Sequence, residues 1–162
     1  MPVTPFHFGP GAAVHSIAPK SVSFLAFCTT NVLVDIEPLY YMVTQQFPLH
    51  RFFHSYVGVS IVIAVAVALF EIAIWSGKKL SLPNVLDWQR LEFRQLFIGA
   101  TLGGYSHILL DSVMHADIRP LAPFSNNNQL LHTVSLATLH WVCIGCAVFG
   151  LFVISARKLF RA

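Results

Sequence analysis

Residues 55–75 contain no Asp, Glu, Lys or Arg except Glu71, and about 20 predominantly apolar residues are enough for a helix to cross the hydrocarbon core of a bilayer. A run of this kind leaves few folding options. In lipid each backbone N–H and C=O must be satisfied within the segment, which for a single run means an α-helix. A second run, 134–155, carries no Asp, Glu, Lys or Arg at all and is followed by Arg157, Lys158 and Arg161. It reads as another span with a basic end. The composition agrees: 56% of the chain is apolar and 10% charged, against roughly a quarter charged in soluble domains.

Two further segments are apolar but carry polar cargo. Residues 96–114 have a helical pattern that includes His107 and Asp111, and residues 22–34 run directly into Asp35. The expectation is an all-α, polytopic transmembrane helix bundle of about four spans, a single integral-membrane domain over residues 1–162. Helices are expected near 9–18, 22–36, 51–76, 94–115 and 134–157. Gly99 and Gly103 form a Gly-x-x-x-Gly pair, with Gly104 beside it, and such a pair lets a neighbouring backbone approach closely. Residues 1–10 hold prolines and no Lys or Arg, so no cleavable signal peptide is expected. Cys28, Cys143 and Cys146 sit in apolar stretches and are read as packing residues. A net charge of +3 without a basic stripe gives no reason to expect nucleic acid as a partner.

Lys and Arg in short loops mark the cytoplasmic side. Lys78, Lys79, Arg90 and Arg94 lie between the second and third spans and the other basic group lies in the carboxyl tail, so linker and tail are expected inside. Segments 45–54 and 115–133 then face outward. Trp75 and Trp88 fit an aromatic belt at the inner boundary. On this map Asp35 and Glu37, His50 and His54, and His107, Asp111 and His115 all approach the outer face. The segment 9–18 is too short to span and is followed by Pro19 and Lys20. Two readings stay open for it. It remains cytoplasmic, or it pairs with 21–34 as a broken, re-entrant helix, tolerated at depth where protein covers the backbone. The second reading would bring His7 to the outer site.

His50 and His54 are four apart, as are His107, Asp111 and His115, so on a helix each set would project from one face. Imidazoles with carboxylates and no thiolate suit a divalent metal, zinc first and manganese or iron next, and the number of candidates admits one ion or two. Ionisable groups in a span cost about 2.5–3.5 kcal/mol each on insertion scales, so Asp35, His107 and Asp111 together call for a function or a strong mutual partner. A structural His–Asp hydrogen-bond cluster is the plainer reading. Pro38 disfavours helix at Glu37, so the chain is expected to unwind there and bring both carboxylates to the centre. Otherwise Asp35 is the ligand, and Glu37 supports it or acts as general base.

The segments Pro5-Phe-His7, Val34-Asp-Ile-Glu-Pro38, His50-Arg-Phe-Phe-His-Ser55 and Gly104-Tyr-Ser-His-Ile-Leu-Leu-Asp111, followed by Pro120 and Pro123, resemble in order and approximate spacing the YdjM-like membrane-bound metal-dependent hydrolases. The resemblance covers roughly the first three quarters of the chain. It implies His7, Asp35, Glu37, His50, His54, His107 and Asp111 as metal ligands or their immediate support, and a site with motifs similar to those of zinc-dependent phospholipase C. Two positions depart from the family pattern: Glu37 stands where an Asp is usual and Pro38 where a His is usual. His115 and Asp117, outside the pattern, are candidates to replace the missing imidazole.

The function expected from residues and resemblance together is hydrolysis of an ester or phosphoester by metal-activated water, with Glu37 or Asp111 accepting the proton. Arg51 and Arg119 are candidates to hold a phosphate oxygen, because a guanidinium fork matches that geometry; lipid headgroup contact is their plainer role. The site's depth points to membrane lipids or a lipid-linked substrate. The expected location is the bacterial cytoplasmic membrane, with the carboxyl terminus inside and the site toward the outer face. The rivals are a metal or proton conduit, since intramembrane Asp and His also mark transport paths, and a structural protein stapled by its metal. Glu71 alone in the inner half gives the conduit little to run through. His132 and His140 would fit a cavity wall or an interface.

Overall fold

In the computed structural model, which describes residues 5–160, every regular element is helical. A short 3-10 turn, Pro5–His7, leads into α1 (Phe8–Ile17), and then come α2 (Phe24–Val43), α3 (Tyr56–Lys79), α4 (Phe93–Met114) and α5 (Leu136–Leu159). Serine hydroxyls fix three of the starts. Ser23 accepts from the Ala26 N–H at 3.1 Å, Ser55 from Gly58 at 3.0 Å and Ser135 from Thr138 at 3.1 Å. Each such cap satisfies one orphaned donor and is worth about 1 kcal/mol. At α4 the carboxylate of Glu92 and the side chain of Gln95 cap each other's backbone reciprocally. Lys78 and Lys79 close α3, where cations complement the helix dipole.

α3 and α5, each 24 residues, are long and apolar enough to cross a membrane. α2 and α4, with 20 and 22 residues, are about 30 Å long at 1.5 Å per residue. They fall short in apolarity because they carry the buried polar groups. α2, α3 and α4 enclose the core, built from Ala26, Val34, Val59, Ile63, Leu96 and Ile108. Gly99 lies against the Ser23 backbone and Gly103 against that of Phe27, where a side chain on either glycine would collide. The Gly-x-x-x-Gly pair therefore seats α4 directly on α2.

α1 spans 10 residues, about 15 Å or half a hydrocarbon core. It folds back to α2 through a turn at 18–23, in which His15 Nδ1 lies 2.7 Å from the Val22 carbonyl. Gly9 and Gly150 bring α1 against the backbone of α5. α1 and α2 are thus successive helices joined by a short turn, with His7 at the head of α1.

Two sequence expectations need correction here. Residues 50–55 are not the start of a helix: His50 lies in an irregular connection and Phe52–His54 form a 3-10 turn, because the Ser55 cap starts α3 at Tyr56. Nor does α2 unwind at Glu37. It continues through buried Pro38 to Val43, since a proline deletes one donor and packing can hold the remaining turns.

The bundle has two chemically distinct ends. Lys20, Lys78, Lys79, Arg90, Arg94, Arg157 and Lys158, seven of the ten Lys and Arg residues, lie at one of them. That end is tied together by Gln95 donating to the Lys20 carbonyl and by Arg157 donating to the carbonyls of Ser16 and Ile17. The other end gathers the histidines and carboxylates.

Candidate metal centre

Four side chains converge at the polar end: Asp35 from α2, His54 from the turn before α3, and His107 and Asp111 from successive turns of α4. One donor atom from each lies within 4.8 Å of all the others. His54 and His107 are fully buried, and Asp35 and Asp111 are 4% and 2% exposed. His107 Nε2 is 3.3 Å from Asp35 Oδ1 and 3.2 Å from Asp111 Oδ2, and His54 Nε2 is 3.8 and 3.7 Å from the same two carboxylates. None of the facing atoms Asp35 Oδ1, His54 Nε2 and His107 Nε2 has a hydrogen-bond partner. Donors about 2.1 Å from a tetrahedral ion stand about 3.4 Å apart, so the observed separations match the edges of such a shell.

The far side of each ring explains why these nitrogens point inward. His107 Nδ1 is 3.0 Å from Asn31 Oδ1, and Asn31 Nδ2 donates to the Phe27 carbonyl at 2.8 Å. The amide orientation is therefore fixed, its oxygen must accept from Nδ1–H, and the Nε2 lone pair is left for the centre. His54 Nδ1 faces Glu37 Oε2 at 3.5 Å, and that oxygen also accepts from the backbone N–H groups of Arg51 and Phe53 at 3.2 and 3.0 Å. His50 Nδ1 is 2.8 Å from Asp117 Oδ1, while Asp117 Oδ2 accepts from the N–H groups of Leu49 and His50 at 3.1 Å each. Metal-binding histidines characteristically hold their second nitrogen in this way.

His7 comes to the same place: its Nε2 is 3.2 Å from Asp111 Oδ1, and its ring meets that of His107 edge-on at 4.7 Å. Neither ring nitrogen of His7 has a hydrogen-bond partner, nor does Asp111 Oδ1. A second group, His50, Asp111 and His115, has donor atoms within 4.8 Å of one another and shares Asp111 with the first. The His50 ring lies 4.6 Å from His54 and 4.5 Å from His115. His115 follows the end of α4 with an extended backbone, so it reaches the site from a loop rather than from the helix face.

Outside the buried cluster, burial pushes His50 and His115 below the ordinary imidazole value, which keeps both neutral near pH 7 and fit to ligate. Burial alone would raise Asp117, but the His50 backbone and ring N–H groups outweigh it and hold the carboxyl below its usual range.

Several candidates stand elsewhere. Glu37 is not among the converging donors; it braces His54 from behind. Arg51 turns away from the centre, with its guanidinium 3.6 Å above the Tyr41 ring and Nε donating to the Pro48 carbonyl. Arg119 is exposed and donates to Asn126. His140 stacks on Phe6 at 4.4 Å, and exposed His132 meets the site end only through its backbone N–H to Val113. Asn31 was absent from the sequence candidates, although its position four residues before Asp35 puts it on the same helix face.

A cavity of about 630 Å³ opens beside the centre. It is lined by the polar residues His50, His115 and Asp117 and by the apolar residues Phe47, Pro48, Leu49 and Ala116.

Comparison with protein-family models, with curated proteins and with solved structures finds no match to this chain.

Proposed function

We propose that this protein is a membrane-embedded, metal-dependent hydrolase that cleaves an ester or phosphoester of a lipid-like substrate at the membrane interface. The observation that carries this reading is the convergence of buried donor atoms without hydrogen-bond partners on His7, Asp35, His54, His107 and Asp111, beside an open cavity. Unpaired buried polar atoms cost about 1–3 kcal/mol each, and a bound cation turns that cost into coordination.

Zinc fits the donor set of two carboxylates and two imidazoles, with manganese or iron next. A divalent ion held at this end of the bundle with one position open would polarise a substrate oxygen and bring the pKa of its bound water to near neutrality. The chain's own groups hold and orient. Asn31 and Glu37 fix the rings of His107 and His54, and the carboxylate oxygens of Asp35 and Asp111 are close enough to the centre to receive the proton released from water. Glu37 acts one ring removed, as a positioning residue.

The cavity supports this substrate class. Its mixed polar and apolar lining suits an amphiphile whose scissile bond would reach His50 and His115 while its chains remain in lipid. In this reading α2 and α4 span the membrane together with α3 and α5, and α1 is re-entrant. The end rich in Lys and Arg faces the cytoplasm and the centre opens toward the outer face, as in a bacterial cytoplasmic membrane. A conduit reading is disfavoured by what lies next along the bundle, where Ala26, Val62, Ile63, Leu96 and Ala100 close the core.

The test is metal content by mass spectrometry on detergent-purified protein, followed by assay of phospholipids and lipid-linked phosphoesters in mixed micelles. Stoichiometric metal that is lost in His107→Ala, together with turnover abolished by a chelator and restored by the ion, supports the proposal. Full metal content in His107→Ala, or a protein that takes up no metal on reconstitution, refutes it.

A further inference from the structure

Resting on the metal-centre reading above and deepening it, we propose that the centre takes two divalent ions, the second held by His50, His115 and Asp111 on the cavity side. Asp111 is common to both donor groups. Its Oδ2 faces His54 and His107, while its Oδ1, 3.2 Å from His7 Nε2, is buried without a hydrogen-bond partner. A carboxylate placed in this way can serve two ions, which in two-metal hydrolytic sites lie about 3.5–4 Å apart.

The imidazoles of the second group are set for the role. His50 has Nδ1 committed to Asp117 at 2.8 Å, which leaves Nε2 for the ion. His115 is fixed through its backbone: its N–H donates to the Asp111 carbonyl at 2.9 Å, and its own carbonyl accepts from Asn128 Nδ2 at 3.4 Å.

Negative charge is concentrated around both donor groups. Asp35, Glu37, Asp111 and Asp117 surround the centre, and among the described residues no Lys or Arg side chain comes within ion-pairing distance of any of them; their partners are all histidines.

The two positions differ in what they leave open. The Asp35, His54, His107 and Asp111 group supplies four protein donors, the pattern of a closed shell, whereas the His50, His115 and Asp111 group supplies three, the pattern that keeps a position for water or substrate. Only the second borders the 630 Å³ cavity through its own residues. Asp35, His54, His107 and Asp111 would hold the inner ion, and His50, His115 and Asp111 would hold the outer one with a position open toward the cavity.

The experiment strips the full-length protein in detergent with a chelator, reloads it with Zn²⁺ or Mn²⁺, and counts ions per chain after desalting. Wild type is compared with His115→Ala and Asp111→Ala, with helical content checked by circular dichroism. Two ions in wild type, one in His115→Ala and none in Asp111→Ala is the expected series. One ion in wild type, unchanged in His115→Ala, overturns the second position and leaves the first intact. Two ions in His115→Ala, or loss of both ions from a folded His115→Ala protein, overturns the division into separable sites. No ion in any folded protein overturns the metal centre itself, and this inference with it.

Discussion

α4 and α5 are close in length, 22 and 24 residues, yet they stand in opposite relations to the rest of the chain. In its most apolar stretch α5 has only 17% of its residues buried, and Trp141, Val148, Leu151 and Phe152 all face outward. α4 is less apolar, buries His107 and Asp111, and seats its glycines on the α2 backbone. The more apolar and more exposed helix of this pair contributes no donor to the candidate centre, and the less apolar one contributes two of the four. Side chains that lower a helix's apolarity are here the ones its neighbours enclose.

The contrast can be broken by mutation. The largest expected effect is at Asp111, because Asp111→Ala removes the residue common to both donor groups and should abolish metal binding; mass spectrometry of the purified variant checks this. Asn31→Leu should weaken metal affinity by about 10- to 100-fold, the usual result of removing a group that orients a ligand, measured by competition with a chelator. Gly103→Val should destabilise the protein by about 1–3 kcal/mol through overpacking against Phe27, read as a lower midpoint of thermal unfolding in detergent. Gly145→Val on α5, where nothing lies within 4 Å, should change stability by about 0.5 kcal/mol or less and leave metal content untouched. If the two glycine variants behave alike, the contrast between the helices fails.

Much of the site was legible from spacing. His107 and Asp111 project from one helix face, and the charge map brings them to the same end as Asp35 and His54. The helical character followed from the apolar runs, whereas only α3 and α5 meet the length and apolarity needed for a span. What the sequence left undetermined arises where local rules compete. His50 and His54 have helical spacing but sit in a connection, because Ser55 caps α3 one residue beyond His54. Pro38 carries a strong local signal against helix, yet it is buried inside one. Asn31 and Asp117 were hard to place because their role is to hold a ring from behind, which depends on partners 76 and 67 residues away.

The single oxygen Glu37 Oε2 receives the N–H groups of Arg51 and Phe53 and also faces the ring of His54. The connection before α3 and the ligand it carries are therefore ordered by the same anchor. Folding itself removes the conformational freedom that a loose loop would have to surrender on capturing an ion, a loss of about 1–2 kcal/mol for each residue fixed. Preorganisation of this kind raises affinity without adding a contact. It also makes a short stretch of backbone that coordinates nothing itself a determinant of how tightly an ion would be held.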